Sequence, residues 1–449
     1  MQNRYIIKLK KRDMIIGIHF IVATALIFLP YHSSINLLVQ IGLMGLTVLS
    51  FVLEPASVFS SLLFFNILPT TVSSATQPNH SVAAVYYLGY RMAWMVLLGL
   101  AAFYALIHYK RLSIGRYSWI CMGFGAYMLI TNLWAWDTTY YSDTFYMLVG
   151  IYAALPVLLN TREDTRFVWE SFIWGGFLLA ANMLAYTLTV GLIQETGVDK
   201  DSNYLSLVTM IVLTMSIAYL YQFWRDVSKW TRAVIAISAI MSVFLLISYA
   251  SRTAFLVLLM YLFLIALYLM KNNKKALIIL SFLGVVTIWL IYVQGVFDYL
   301  ARTFFEENFE TGNGRTLLWA QYWQEYLRES VLLKIFGRGF HVFRGSFLRF
   351  RFFAHNSYLS VLIDFGLIGE ILFVANAFLS MRAMWKIGYH FLGISMLVIC
   401  AFHFALDGFQ DAMCAEYMVF CACCASCAAS GKSVKGDHYE TSAVCDPRA

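Results

Sequence analysis

The chain has 449 residues, of which 61% are hydrophobic and only 13% are charged. Soluble domains are about half apolar and about a quarter charged, so this composition excludes a soluble globular protein and is typical of a polytopic membrane protein. The formal net charge of +7 does not indicate nucleic-acid binding, because the basic residues lie mostly between apolar runs, where they set membrane topology.

Long apolar runs predict an all-α protein with about twelve to fourteen transmembrane helices. The basic N-terminus leads into the first run with no small-residue cleavage site after it, which predicts a retained span and not a cleaved signal peptide. The third run is short and the last is polar for a span, so these two are marginal. The predicted spans are residues 14–30, 35–53, 56–69, 83–108, 117–134, 144–160, 167–193, 203–224, 233–250, 253–270, 276–294, 356–380, 388–406 and 411–429.

The distribution of lysine and arginine predicts the orientation of these spans. With fourteen spans both termini share one side, and the segments of that side hold most of the 32 basic residues. This bias places both termini in the cytoplasm. The predicted organisation is a helix bundle (1–294), a large extracytoplasmic loop (295–355), C-terminal transmembrane helices (356–429) and a cytoplasmic tail (430–449).

The large loop is basic, and loops of this length are exempt from the charge rule. The segment GRTLLWAQYWQEYLRESVLL has apolar residues at helical spacing, and Gly337 and Gly339 follow it. The spacing predicts an amphipathic helix on the outer face of the membrane, with the aromatic segment 343–353 beside it. The alternative is a solvated external cap.

Polar residues occur where three predicted helices begin on the outer side. Arg252 begins the tenth span, Arg315 begins the loop helix, and His355 with Asn356 opens the twelfth span. A helix N-terminus carries partial positive charge and unpaired N–H groups, so an arginine there is favoured when an anion binds to both. Because the guanidinium can hold two oxygens at once, the pattern predicts a phosphate or diphosphate ligand.

Each of these residues also has a simpler explanation when it is taken alone. Arg252 can reach the outer interface as a snorkelling side chain, and Arg315 can be a solvated helix charge. His355 can cap its helix, and turn geometry alone can explain Arg338 in FGRGF. Asn203 follows Asp201 at the start of the eighth span, where capping competes with a role in sugar recognition.

The sequence offers no motif for metal, nucleotide or serine-hydrolase chemistry. It has no P-loop, no GxSxG, no HExxH and no acidic pair at metal spacing, so we expect a reaction without metal or other cofactor. The cysteines of CACCASC (421–427) can suggest metal ligands, but small soft residues in an apolar segment favour helix packing.

At these residues the sequence resembles the O-antigen ligase and O-antigen polymerase superfamily of polytopic membrane glycosyltransferases. The similar stretches are SRTAF (251–255), GR (314–315) followed by Trp319, GRGF (337–340) and HNSYLSVLIDFGLIG (355–369). The resemblance covers roughly residues 200–380, and the cysteine-rich end departs from it.

The resemblance implies an extracytoplasmic active site in a bacterial cytoplasmic membrane. Its partners would be an undecaprenyl-diphosphate-linked oligosaccharide, an acceptor glycan, the lipid bilayer and other polysaccharide assembly proteins. Arg252 and Arg315 would hold the diphosphate, His355 would activate or position the acceptor hydroxyl, and Asn356 would orient it. Arg338 and Asn203 complete the predicted substrate-binding set.

Four functions are compatible with this pattern. The first is a polysaccharide polymerase, and the second is a ligase that moves finished glycan to lipid A core or to another acceptor. A flippase or transporter is a third, although no internal duplication is evident and the notable polar residues lie at the outer rim. A non-catalytic membrane scaffold is the fourth, and it leaves the outer arginines unexplained.

Overall fold

The computed structural model describes residues 2–28, 33–61, 83–110, 114–135, 142–189, 202–249, 251–272, 315–340, 354–406, 408–410 and 412–429, with residues 64 and 112 and scattered positions between 274 and 292. Every long regular element within these residues is an α-helix, which confirms the predicted all-α class. The helices are α1 (Gln2–Phe28), α2 (Ser33–Leu53), α3 (Ala83–His108), α4 (Arg116–Thr131), α5 (Ser142–Leu158), α6 (Arg162–Thr189), α7 (Ser202–Phe223), α8 (Lys229–Ser248), α9 (Arg252–Asn272), α10 (Arg315–Arg328), α11 (Val331–Phe336), α12 (Ser357–Lys386), α13 (His390–Phe402) and α14 (Ala412–Ala429).

Five of these helices, α6 to α9 and α12, are long and apolar enough to cross a membrane. The protein is therefore a polytopic membrane protein, as its composition predicts. The predicted span 276–294 lies mostly, and the span 56–69 half, outside the described residues. Nothing in the structure tests the predicted division of the chain into bundle, loop and tail.

Two helices differ in extent from the predicted segments. Helix α1 begins at Gln2, before the predicted span 14–30, because lysine and arginine are good helix formers and continue the helix beyond its apolar run. The predicted loop helix is split between α10 and α11, because the side chain of Ser330 accepts from Leu333 N at 3.3 Å and starts a second helix. Tyr322 is buried within α10, and the polar and apolar sides of that helix agree with the predicted amphipathic character.

Small residues pack α14 tightly into the bundle. Cys421, Cys423 and Cys424 are buried free thiols, and Ser118 of α4 donates to Ser426 Oγ at 3.1 Å. Small side chains let neighbouring helices approach closely where lipid provides no hydrophobic driving force. The cysteine-rich segment therefore has a packing role in this structure.

Helices α6 and α7 are antiparallel, which fixes the two ends of the bundle. Trp169, near the start of α6, donates through Nε1 to Met215 O near the end of α7 at 3.0 Å. Tyr219 of α7 donates to the carboxylate of Glu170 in the same region. The start of α7 consequently lies at the end of the bundle away from the start of α6.

A buried ion triad stabilises the end where α6 begins, called here the paired end. Arg12 of α1 donates to Glu54 Oε1 at 3.0 Å and to Asp164 Oδ1 at 2.5 Å. All three side chains are at most 11% exposed. Burying one cation against two carboxylates keeps each charge partnered in a low-dielectric interior.

Helix α12 is broken at Gly366, and the loop docks into the break. Gly366 has φ 65° and ψ −170°, so the carbonyls of Ile363 and Asp364 accept from loop residues, namely from Arg338 N at 3.2 Å and Gly339 N at 2.8 Å. Gly337 has φ 79°, and a Cβ on it would lie 2.3 Å from Asp364 O. Both positions therefore require glycine, for conformation and for close approach.

We call this contact of residues 336–339 with residues 363–366 the clasp. Helix α4 and the turn after it hold the clasp as well, since Tyr127 donates to Phe336 O at 2.9 Å and Trp134 Nε1 donates to Gly337 O at 3.1 Å. The clasp thus joins the loop, α4 and the first half of α12 into one unit.

Candidate functional site

The first half of α12 presents His355 and Asn356 at its N-terminus. Asn356 is the N-cap, and its side chain accepts from Leu359 N at 3.1 Å. The N-cap of α12 is therefore Asn356, and His355 is the residue before it. His355 is half-buried and has φ 49°, a left-handed conformation that is uncommon outside glycine. Backbone strain of this kind clusters at functional sites.

Ser357 anchors this N-terminus to the segment that follows α13. Its N–H donates to His403 O at 2.9 Å, and its Oγ donates to Leu406 O at 2.9 Å and lies 2.7 Å from His403 Nδ1. The same oxygen accepts from Phe409 N at 3.1 Å. We call residues 403–406 and 408–409 the bracket.

One tautomer of His403 satisfies all of these bonds together. With the single hydroxyl proton of Ser357 on Leu406 O, Nδ1 of His403 carries the proton that bonds Ser357 Oγ. Nε2 then accepts from the Cys414 thiol, 3.3 Å away. Because Ser357 is fully buried and its oxygen is already bonded, this serine and histidine form a structural anchor and not a nucleophilic pair.

Helix α10 holds the opposite side of the same bracket. Arg315, its first residue, donates through Nη1 to Ala405 O at 2.9 Å. One turn later, Trp319 Nε1 donates to Ala354 O at 2.8 Å, next to His355. The two side chains lie on one face of α10, as the spacing i, i+4 requires. Arg315 and His355 are therefore attached to the same small region.

Asn203 and Arg252 lie at a second pair of helix starts. Ser251 caps α9, accepting from Ala254 N at 3.2 Å, and its hydroxyl donates to Asn203 Oδ1 at 2.6 Å. This bond joins the start of α7 to the start of α9. Asn203, which was predicted to bind substrate, is therefore part of a structural contact. Arg252 is the residue directly after Ser251, the serine that bonds Asn203.

Packing between α7 and the bracket connects the starts of α7 and α9 with the starts of α10 and α12. A Cβ added at Gly408 would lie 2.5 Å from Leu207 Cδ2, and Leu207 is one turn beyond Asn203. The first turn or two of α7 and the starts of α10 and α12 thus contact the bracket, and the start of α9 is bonded to the start of α7. We call this region, away from the paired end, the mouth, and its half-buried or buried polar residues include Asn203, Arg252, Arg315, His355 and Asn356.

Several helix N-termini converge at the mouth with two arginines. Each N-terminus contributes partial positive charge and N–H donors. The guanidinium of Arg315 donates to a main-chain carbonyl. Guanidinium groups and helix N-termini are groups with which proteins bind anions.

Arg338 is placed differently from the other predicted site residues. Its side chain forms an ion pair with Glu329, and both groups are at most 15% exposed. Burial lowers the pKa of the Arg338 guanidinium, and the nearby carboxylate of Glu325 opposes this shift. Its main chain belongs to the clasp, so its role as a substrate ligand stays a prediction.

The sequence analysis missed Ser357, His403 and Gly408. The sequence did contain a signal for this region. The predicted span 388–406 ends on the same side as His355, with His403 near its end and an Asp-Gly pair directly after it. The aromatic segment 343–353 and Asp201 lie outside the described residues.

Comparison with known proteins bears on most of these residues. Residues 236–374 match the family described as O-antigen ligase. The match includes Arg252, Arg315, Arg338, His355 and Asn356, whereas Asn203 and the bracket lie outside it. The search of curated proteins found no match. The match agrees with the resemblance drawn from the sequence motifs: residues 236–374 of this membrane protein are similar to the O-antigen ligase family.

Proposed function

We propose that the protein is a polysaccharide polymerase of the cytoplasmic membrane. It takes glycan from undecaprenyl-diphosphate-linked repeat units and transfers it to an acceptor sugar hydroxyl on the extracytoplasmic side. The observation that carries this proposal is the mouth, where Arg315 and Ser357 bond one bracket and Trp319 of α10 bonds Ala354, the residue before His355. The bias of basic residues toward the other side supports the extracytoplasmic placement.

Arg252 and Arg315 hold the diphosphate in this proposal. As the glycosidic bond to the carrier breaks, negative charge develops on the leaving diphosphate. Preorganised guanidinium groups and helix N-termini stabilise that charge without reorganisation at the moment of reaction. Cationic side chains thereby supply the neutralisation that a metal ion provides in other enzymes.

His355 accepts the proton of the acceptor hydroxyl. The acceptor oxygen forms a bond to the anomeric carbon of the donor sugar, the bond between that carbon and the diphosphate oxygen breaks, and undecaprenyl diphosphate leaves. An imidazole suits this role because it exchanges a proton near neutral pH. Asn356, adjacent and fixed as the N-cap, orients the histidine or the acceptor.

Glycan profiling of a deletion strain tests the proposal. Strains complemented with Arg315→Ala or His355→Ala should make no long chains, although the protein is inserted normally. Arg328→Ala is the matched control, because Arg328 ends the same helix, is 71% exposed and pairs with Glu325 at 2.9 Å. Full-length glycan from both mouth variants would refute the assignment.

The ligase is the second candidate, and the family description favours it. The same mouth residues serve both reactions, since each transfers glycan from the carrier diphosphate to a hydroxyl. The product separates them. In the deletion strain, absence of long chains indicates a polymerase, whereas long chains that stay on the carrier lipid and are not transferred to a second molecule indicate a ligase.

A further inference from the structure

Two proposed catalytic groups, Arg315 and His355, come from separate segments of the chain but share one support. Arg315 bonds the carbonyl of Ala405, and Ser357 bonds the carbonyl of the next residue, Leu406. Consecutive residues of a chain are about 3.8 Å apart, so the two attachments hold neighbouring peptide units. His355 lies two residues before Ser357 and is held by the same anchor.

We propose that Ser357 and His403 are positioning residues that fix the imidazole of His355 relative to the guanidinium of Arg315. This inference rests on the proposed function. Ser357 is fully buried and therefore does not touch substrate. It acts through its bonds to the bracket and through the backbone of His355, the strained residue before the N-cap Asn356. The bracket lies outside the matched O-antigen ligase region, so these residues add to the site from the C-terminal part of the chain.

The physical reason is that the reaction needs both groups at once. The base must reach the acceptor hydroxyl while the arginines hold the leaving diphosphate, so their separation determines how often the bound donor is reactive. A displacement of about 1 Å can lower a rate by about a hundred-fold when the groups themselves are intact. Loss of the anchor should therefore lower kcat and leave the affinity for the donor unchanged.

Ser395 offers a matched control for Ser357. It is also a fully buried serine between helices, and its hydroxyl lies 2.7 Å from both Thr214 Oγ1 and Tyr417 OH. It belongs to α13, which leads into the bracket, but its partners lie in α7 and α14 and not at the mouth. Ser357→Ala and Ser395→Ala remove the same atom from equally buried positions.

The experiment measures release of undecaprenyl diphosphate by the purified full-length protein in nanodiscs, with lipid-linked glycan extracted from the producing strain as donor. Ser357→Ala should lower kcat by between about ten- and a hundred-fold with KM within about two-fold. Ser395→Ala should leave kcat within about two-fold, with a similar shift in melting temperature. Equal kcat values for the two variants would overturn the positioning role.

A second pair of variants, at His403, tests the proposal if the Ser357→Ala protein does not insert into the membrane. Asparagine can place an amide near the position of Nδ1, so His403→Asn should retain the bond to Ser357 and keep kcat within about three-fold. His403→Leu should lose the bond and lower kcat by about ten-fold or more. Equal kcat values for these two variants would also overturn the proposal.

The outcomes separate this inference from the proposed function. If Arg315→Ala and His355→Ala retain full turnover, the proposed chemistry fails and the positioning role fails with it. If those variants are inactive while Ser357→Ala matches Ser395→Ala, the chemistry stands and the positioning role alone is wrong.

Discussion

The two ends of the helix bundle both contain buried or half-buried arginine, but they treat its charge differently. At the paired end Arg12 lies between the carboxylates of Glu54 and Asp164. At the mouth, Arg315 donates to a main-chain carbonyl, and Arg252 begins a helix whose cap bonds Asn203. At one end two carboxylates of the protein enclose the cation, and at the other two arginines begin helices, one of them donating to a main-chain carbonyl.

This difference predicts that the arginine at the paired end contributes to stability and that the arginines at the mouth contribute to catalysis. A guanidinium enclosed by two carboxylates is held in place and is not available to a ligand, so its removal should mainly affect folding. A guanidinium oriented at the start of a helix can bind an anion that arrives with the substrate, so its removal should mainly affect turnover. Variants at matched positions test this separation directly.

The largest expected effect is at Arg252. Arg252→Ala should lower kcat/KM by about a hundred-fold or more, because the diphosphate loses one of its two proposed cationic ligands. Arg252→Lys keeps the charge but loses the planar fork, so its activity should lie between those of wild type and the alanine variant. Release of undecaprenyl diphosphate in nanodiscs measures both, and wild-type kinetics for Arg252→Ala would remove this residue from the site.

At the paired end, Arg12→Met should destabilise the protein by about 3–5 kcal/mol, because it leaves two carboxylates buried without their cation. The folded fraction should retain wild-type kcat. Thermal unfolding in detergent and turnover per folded molecule check the two parts. Adding Glu54→Gln and Asp164→Asn should restore much of the lost stability, since neutral side chains do not need the cation. A large loss of kcat with unchanged stability would contradict the comparison between the two ends.

A substitution in the clasp tests how much this contact contributes to the stability of the protein. Gly366→Ala should destabilise by about 1–3 kcal/mol, because φ 65° is unfavourable for alanine and a Cβ would lie 2.4 Å from Gly337 N. Gly45→Ala in α2 is the control, since no atom of the described part of the chain lies within 4 Å of its added Cβ and helical alanine should raise stability by about 0.5–1 kcal/mol. Melting temperatures that move in the same direction for both variants would argue against the clasp.

The local features of this structure follow from the sequence, and the long-range contacts do not. Apolar runs predicted α3 and α8 within a few residues, and the His-Asn pair marked the start of α12, because periodicity and capping are properties of neighbouring residues. The bond between Arg12 and Asp164 joins residues 152 positions apart, and nothing in either local sequence specifies it.

The same distinction applies to the candidate site. Arg252, Arg315 and His355 were predicted from the chemistry of helix starts. The bracket was missed because its function depends on carbonyl groups of Ala405 and Leu406, and every residue has a carbonyl. Only the fold shows which carbonyls face the mouth.

The smallest expected effect, at Asn356, distinguishes capping from substrate contact. Asn356→Ala should destabilise by about 1 kcal/mol, and so should the control Ser228→Ala, since Ser228 caps α8 toward the paired end by accepting from Thr231 N at 3.1 Å. Asn356→Asp should keep the cap, because aspartate is an equally good N-cap and its charge favours the helix dipole. That same charge would lie at the mouth, where it repels a diphosphate and competes for the arginines. Asn356→Asp should therefore melt like wild type and turn over glycan at least about ten-fold more slowly. Wild-type turnover by this variant would show that Asn356 only caps α12 and that the anion binds farther from this helix start than proposed.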